Sequence, residues 1–231
     1  MKVDDAVETI TRFFNDLIGA WVPGSVLAMG LVVMHLGPKS FQSIAKLGEG
    51  AGVALTMAGL LFALGHVLLA INEHAINPLL KHTRFLTTFD EATAKSRQSY
   101  KWFSELVGEA QNGAGLTSWG FHDLRSVALS VSTEAATLGR RFMFISMLCK
   151  GVGTALMIIG LDYLICSFLA PKLMYTYEQS APWYVQGILL FGTAILLFKQ
   201  GESFYARAMT TPFSVAVAEL KFKKEANAVT P

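Results

Sequence analysis

Four long apolar stretches constrain this chain more than any other feature of its sequence. They cover residues 18–36, 51–71, 151–170 and 183–198, and together they contain a single charged residue, Asp162. A helix rises about 1.5 Å per residue, so about 20 apolar residues cross the roughly 30 Å hydrocarbon core of a bilayer. The sequence therefore predicts an all-α polytopic membrane protein with four transmembrane helices.

The composition excludes several other classes of protein. Charged residues make up 16% of the chain and hydrophobic residues 52%, whereas an average soluble chain is about 25% charged. The formal net charge of +2 gives no reason to expect direct binding of nucleic acid. The apolar content also excludes a disordered chain.

The distribution of Lys and Arg predicts the orientation in the membrane. Most of these residues lie in the N-terminal segment, in residues 72–141 and in the C-terminal tail. The two short loops contain only Lys39, Lys46 and Lys172. By the positive-inside rule, both termini and the long segment are cytoplasmic.

The hydrophobic pattern outside the spans divides the chain into five parts. The capping-box pattern Thr88–Glu91 predicts the opening of one helix that runs to about residue 108, and helical periodicity predicts an amphipathic helix from Leu124 that feeds into the third span. Proline lacks a backbone donor, so we expect a kink or break at Pro23 and Gly24, and a break near Pro212. The parts are an N-terminal amphipathic helix at 1–17, transmembrane helices at 18–71, a cytosolic helical hairpin at 72–141, transmembrane helices at 142–198, and a cytosolic helix and tail at 199–231.

One face of the second span carries small and polar side chains at alternating spacings of four and three. Small residues let helices approach closely in a bilayer, so this face is either a helix-packing seam or, alternatively, a face that lines a polar pathway. Its members are Gly52, Thr56, Gly59, Ala63, His66, Ala70 and Glu73.

Ionisable residues inside a membrane are candidates for function. Asp162 and Lys150 both lie on the third span, too far apart along the helix to pair with each other. Asp162 needs a partner from another helix, or contact with water or headgroups, while Lys150 extends to the cytoplasmic interface. His35 is expected at the membrane surface.

The cytosolic segment offers candidates for binding a protein partner. Basic and aromatic side chains at Arg97, Lys101, Trp102 and Arg125 form this set. The partners expected for the whole chain are the lipid bilayer, further copies of the chain, and a cytosolic protein.

No motif in the sequence predicts catalysis, a metal or a cofactor. There is no nucleotide-binding loop, no GxSxG and no HExxH, so we expect a protein that is not an enzyme. His66, His74 and His82 stand eight residues apart, too far for ligands on neighbouring turns of a helix. Cys149 and Cys166 are too distant along one helix for a disulfide, and are expected to pack as small apolar residues.

The layout of an entry helix, the Pro23–Gly24 break, short outer loops and a helical segment between spans two and three resembles known four-span families. It is similar to the four-span membrane subunit of the Kiwa type of bacterial anti-phage defence system, a likeness of topology over the whole chain. That resemblance implies a bacterial inner-membrane protein that senses membrane disturbance and recruits or regulates a soluble effector. The layout is also similar to the large-pore channels of the connexin type, although their outer-loop cysteines are missing here.

Three functions are compatible with these observations. The first is a non-enzymatic oligomer that senses the state of the membrane and controls a cytosolic partner. The second is an oligomeric channel or membrane-permeabilising effector with the face through His66 lining the pore. The third is a small proton-coupled transporter that uses Asp162 and His66.

Overall fold

The computed structural model describes residues 3–47, 50–83, 85–86, 89–110, 119–175 and 182–229, and every regular element among them is a helix. The side chains of residues 3–16 and 222–229 lie outside this description, and so does the apolar face expected on the N-terminal helix. The helices are α1 (Val3–Leu36), α2 (Ser40–Leu47), α3 (Ala51–Ile71), α4 (Asn77–His82), α5 (Glu91–Ser96), α6 (Gln98–Ala110), α7 (Phe121–Val131), α8 (Thr133–Leu169) and α9 (Trp183–Val229).

Four of the helical segments are long and apolar enough to cross a membrane. They are Leu17–Leu36, Ala51–His82, Thr133–Leu169 and Trp183–Lys221. The helical class and the four candidate spans confirm the sequence prediction at this level. The fourth span starts at Trp183, directly after Pro182, whose ring suits the start of a helix.

The second span is longer than its apolar core. After Ile71 the backbone continues through a π-helical segment, Asn72–Ile76, and then through α4. Pro78 lies in the first turn of α4, where a missing backbone donor is tolerated. Residues 72–82, which the sequence assigned to the cytosolic segment, therefore continue the helical segment of the second candidate span.

Neither proline within a long helix interrupts it, so the break expected near Pro212 is wrong, and at Pro23–Gly24, where we expected a kink or a break, the helix is not broken. Pro23 lies within α1 and Pro212 within α9. Both rings are fully buried. A Cβ on Gly151 would lie 2.6 Å from the Pro23 ring, and one on Gly139 3.3 Å from the Pro212 ring. Each ring thus packs closely against a glycine of α8.

The chain forms two compact units. Unit 1 contains Met1–Thr87 and Phe144–Gly201, and unit 2 contains Thr88–Met143 and Glu202–Pro231. Residues of α8 and α9 belong to both units.

In unit 1, α1 and α3 pack closely because glycines face each other's backbone. A Cβ on Gly65 would overlap the carbonyl of Ala20, and a Cβ on Gly24 would overlap the carbonyl of Leu61. Gly24 therefore allows close packing of α1 against α3. Leu27 of α1, Leu68 of α3, and Ala155 and Ile159 of α8 form an apolar cluster.

In unit 2, two helices that the sequence predicted as continuous are each divided. Asp90 caps α5 by accepting from the backbone N–H groups of Ala92 and Thr93. Arg97 is extended, which ends α5 and separates it from α6. Ser132 is likewise extended and separates α7 from α8, so the amphipathic helix does not run directly into the third span.

The two breaks in unit 2 let its short helices fold back on an aromatic core. Phe103, Phe121 and Phe213 are buried there, and their rings lie in contact with one another or with Tyr100. Loop residues 112–118, which the sequence places between the helices of the hairpin, lie outside the described residues.

Candidate functional site

A polar contact joins the end of α1 to α8 in unit 1. His35 Nε2 lies 2.7 Å from Asp162 Oδ2, with side chains that are 30% and 33% exposed. One helical turn further along α8, the Cys166 thiol donates to Asp162 Oδ1 over 3.7 Å. Asp162 therefore has a partner from another helix, which is one of the two situations expected from the sequence.

The second nitrogen of the imidazole is also engaged. His35 Nδ1 lies 2.9 Å from the carbonyl oxygen of Leu173, at the end of the short 3-10 helix Pro171–Leu173. Two residues later, the Tyr175 backbone N–H donates to the carbonyl of Met34 over 2.8 Å. Both ring nitrogens thus face oxygen acceptors, so the ring donates on both sides when it carries two protons.

A cavity of about 680 Å³ lies beside this contact. Met34 and Tyr163, the sequence neighbours of His35 and Asp162, both line it. The rest of the wall is mainly apolar and includes methionines that adapt easily to irregular shapes. Further lining residues are Met29, Met174, Tyr175 and Gln186.

The small-residue face of α3 is exposed along its whole length. The exposed members are all seven residues singled out in the sequence: Gly52, Thr56, Gly59, Ala63, His66, Ala70 and Glu73. A Cβ on Gly52 or Gly59 would meet no atom within 4 Å. The packing contact of α3 with α1 uses Gly65 instead, so the α3 face makes no seam with its own chain among the described residues.

The two ionisable residues that the sequence predicted to lie within the membrane have different surroundings. Asp162 bonds His35, as described above. Lys150 is partly buried, and its side chain lies near Gly201, where a Cβ would stand 3.0 Å from Lys150 Cγ. The Thr154 hydroxyl donates to the backbone carbonyl of Lys150 over 2.9 Å.

Of the candidates for partner binding in unit 2, two make contacts within the unit. Arg97 Nη1 donates to Thr210 Oγ1, and the half-buried Arg125 donates through Nε to the carbonyl of Ala208, each over 3.2 Å. Burial lowers the pKa of the Arg125 guanidinium from its ordinary value, but a guanidinium stays charged in proteins.

The remaining two candidates are accessible. Trp102 is 41% exposed, and the Lys221 ammonium lies 4.1 Å above the centre of its ring. Lys101 is exposed beside it. Arg97 is exposed as well, although it bonds Thr210, so Arg97, Lys101 and Trp102 are the members of the predicted set that a partner can reach.

Sequence reasoning missed the grouping of His35, Asp162 and Cys166. It assigned His35 to the membrane surface and Cys166 to simple packing, and expected no metal site. The available signal was the four-residue spacing of Asp162 and Cys166, which puts both on one helix face. The third member, His35, is 127 positions from Asp162, and only the fold brings it there.

Comparison of the chain with models of protein families, with curated proteins and with solved structures finds no match.

Proposed function

We propose that this chain is a non-enzymatic multi-pass protein of a bacterial inner membrane that assembles with copies of itself through the α3 face. The observation that carries the proposal is the exposure of that face. In the most apolar part of the second span 11% of the residues are buried, against 33% in the first span and 39% in the third. The second span thus has the most surface left for contacts outside the chain.

A second copy of the chain is the occupant that best fits this face. Lipid tails gain nothing special from glycine and alanine, whereas another helix gains close backbone approach and hydrogen bonds. Gly52 and Gly59 leave open space in which a neighbouring helix fits. A self-complementary surface of this kind suits the isologous contacts of symmetric homo-oligomers.

The proposed cellular role is to report the state of the membrane to a cytosolic protein. Because α8 and α9 contribute residues to both units, a change in helix packing in unit 1 has a continuous backbone connection to unit 2. The exposed Trp102 and Lys101 offer a contact surface for the partner. Similarity of layout to the Kiwa type of membrane subunit supports a role in anti-phage defence. The distribution of Lys and Arg supports a cytoplasmic location for both termini.

Native mass spectrometry of the full chain in mild detergent tests the assembly. We expect an oligomer for the wild type and monomers for the double variant Gly52→Leu/Gly59→Leu. A Cβ at either position meets no atom within 4 Å and both residues are exposed, so we expect the monomer to fold in the double variant. The matched control is Gly192→Leu on α9, which also points into open space and should leave the oligomer intact. A monomeric wild type, or an oligomeric double variant, would refute the assembly.

A channel is the second candidate, favoured by the exposure of two ionisable residues, His66 and Glu73, on the same α3 face. If these side chains line a pathway between subunits, Glu73→Gln should change the ion selectivity in planar bilayers. His74→Gln, one residue along at an exposed position, is the control. Bilayers without conductance would exclude this function while leaving the assembly proposal standing.

A further inference from the structure

We propose that His35, Asp162 and Cys166 form a binding site for a divalent cation of the zinc class at the end of α1 and α8. One ligand atom from each side chain, the imidazole nitrogen, the carboxylate oxygen and the thiol sulfur, lies within 4.8 Å of the others. Nitrogen, oxygen and sulfur ligands of these three types are the set by which proteins hold zinc.

The spacing of the ligand atoms is close to what one ion requires. With metal–ligand distances of roughly 2.0 to 2.3 Å, ligands in a tetrahedron stand about 3.3 to 3.8 Å apart. The 3.7 Å between Cys166 Sγ and Asp162 Oδ1 already matches this. His35 Nε2 contacts the other carboxylate oxygen, Oδ2, over 2.7 Å. Placing one oxygen at the required distance from both the nitrogen and the sulfur therefore needs a small rearrangement, which is open to two side chains that are one-third exposed.

The surroundings of His35 support a ligand role independently of this spacing. A histidine that binds a metal through one nitrogen usually donates the other N–H to a carboxylate or a backbone carbonyl, which fixes the tautomer and the ring orientation. His35 Nδ1 makes this contact with the carbonyl of Leu173 over 2.9 Å. Nε2 is thereby directed at Asp162, where the ion would bind.

Binding exchanges protons for the metal. The Cys166 S–H bond breaks, the sulfur bonds the cation, and the proton passes to solvent together with any proton held between His35 Nε2 and Asp162. Three protein ligands leave a fourth position for water, which the partial exposure of His35 and Asp162 allows. The ion would join α1 to α8 and so stabilise unit 1.

The test uses the full chain in detergent, stripped with a chelator and then titrated with Zn²⁺ or Co²⁺. We expect about one zinc per chain and a cobalt–thiolate charge-transfer band, as for a site with one Cys ligand. Cys166→Ala should abolish the band and weaken zinc binding by more than about tenfold, since even the loss of a supporting contact weakens sites by 10- to 100-fold. Cys149→Ala, the matched control on the same helix, should change neither.

A second variant keeps the test decisive if Cys166→Ala alters folding. His35→Gln retains the thiol, so it should still weaken zinc binding by more than about tenfold. The proposed site would be overturned if either variant folds and keeps both its zinc affinity and its cobalt band unchanged. It would also be overturned if the wild-type chain binds no zinc. These readouts do not depend on the oligomeric state, so the assembly through the α3 face stands or fails separately.

Discussion

His35 and Asp162 lie 2.7 Å apart although 127 positions separate them in the chain. Their contact joins the end of the first span to the third, and both side chains are about one-third exposed. When water reaches a contact of this kind, the contact adds about 1 kcal/mol or less to the free energy of unfolding.

The first prediction concerns energetic coupling within this pair. In a double-mutant cycle of His35→Gln and Asp162→Asn, measured by thermal unfolding in detergent with a chelator present, we expect a coupling of about 1 kcal/mol. The chelator ensures that the coupling reports the direct contact. The control cycle combines Asp162→Asn with Thr193→Ala, a change at an exposed side chain of α9. The effects of these two substitutions on the free energy of unfolding should be additive. Additivity in the test pair as well would contradict the contact.

The second prediction compares two glycines of α3. Gly65→Ala places a methyl group against the carbonyl of Ala20, whereas Gly59→Ala meets open space. We expect Gly65→Ala to destabilise the protein by about 3 kcal/mol, because backbone cannot move aside as a flexible side chain does. Gly59→Ala should leave the apparent Tm of detergent-dissociated protein unchanged. Equal Tm values for the two variants would show that the contact between α1 and α3 is wrong.

The third prediction is a pH dependence in unit 2. The hydroxyl of Thr93 and the backbone N–H groups of Thr93 and Ala92 lower the pKa of Asp90 from its ordinary value of 3.8. The charged cap therefore stabilises α5 fully above that value, and this contribution is lost as the pH falls through the lower, folded pKa.

Hydrogen exchange of the α5 amides across the acidic range measures this effect. In the wild type, protection should decline as the pH drops below about 4, the value for an ordinary carboxyl. Asp90→Asn also caps helices but does not titrate in this range, so its protection, after correction for intrinsic exchange, should be flat. Parallel curves for the two proteins would contradict the role of the carboxylate.

The fourth prediction concerns the start of α8. The buried Ser132 accepts from the backbone N–H of Ala135 through Oγ over 3.1 Å. Ser132→Ala should destabilise the protein by about 1 kcal/mol through loss of this cap. The exposed Ser130, whose hydroxyl bonds the carbonyl of Val127 within α7, is the control, and Ser130→Ala should have little effect on the unfolding temperature. A similar loss in both would rule out a specific capping role.

The helical class and the four spans could be predicted from the sequence, because hydropathy over about 20 residues reflects a single physical requirement. The breaks could not. Pro23 and Pro212 each lack a backbone donor, yet α1 and α9 continue through them with both rings packed against glycines of α8. Arg97 and Ser132 interrupt helices without any glycine or proline to mark the place.

The functional surfaces were predictable only in part. The pattern through Gly59 and His66 correctly grouped residues on one face, since helical periodicity alone determines that. Which face of α3 meets the chain's own helices depends on tertiary packing, and it is the face through Gly65. The cluster of His35 with Asp162 and Cys166 required the same long-range information.

Disulfide cross-linking in native membranes tests the central claim, assembly through the α3 face, most directly. In a full chain with Cys149 and Cys166 replaced by Ala, Gly59→Cys should give a cross-linked dimer on mild oxidation, because two copies bring this position close to its counterpart. Gly192→Cys on α9, equally open within its own chain, should remain monomeric. Cross-linking at position 192 with none at position 59 would contradict the proposed interface.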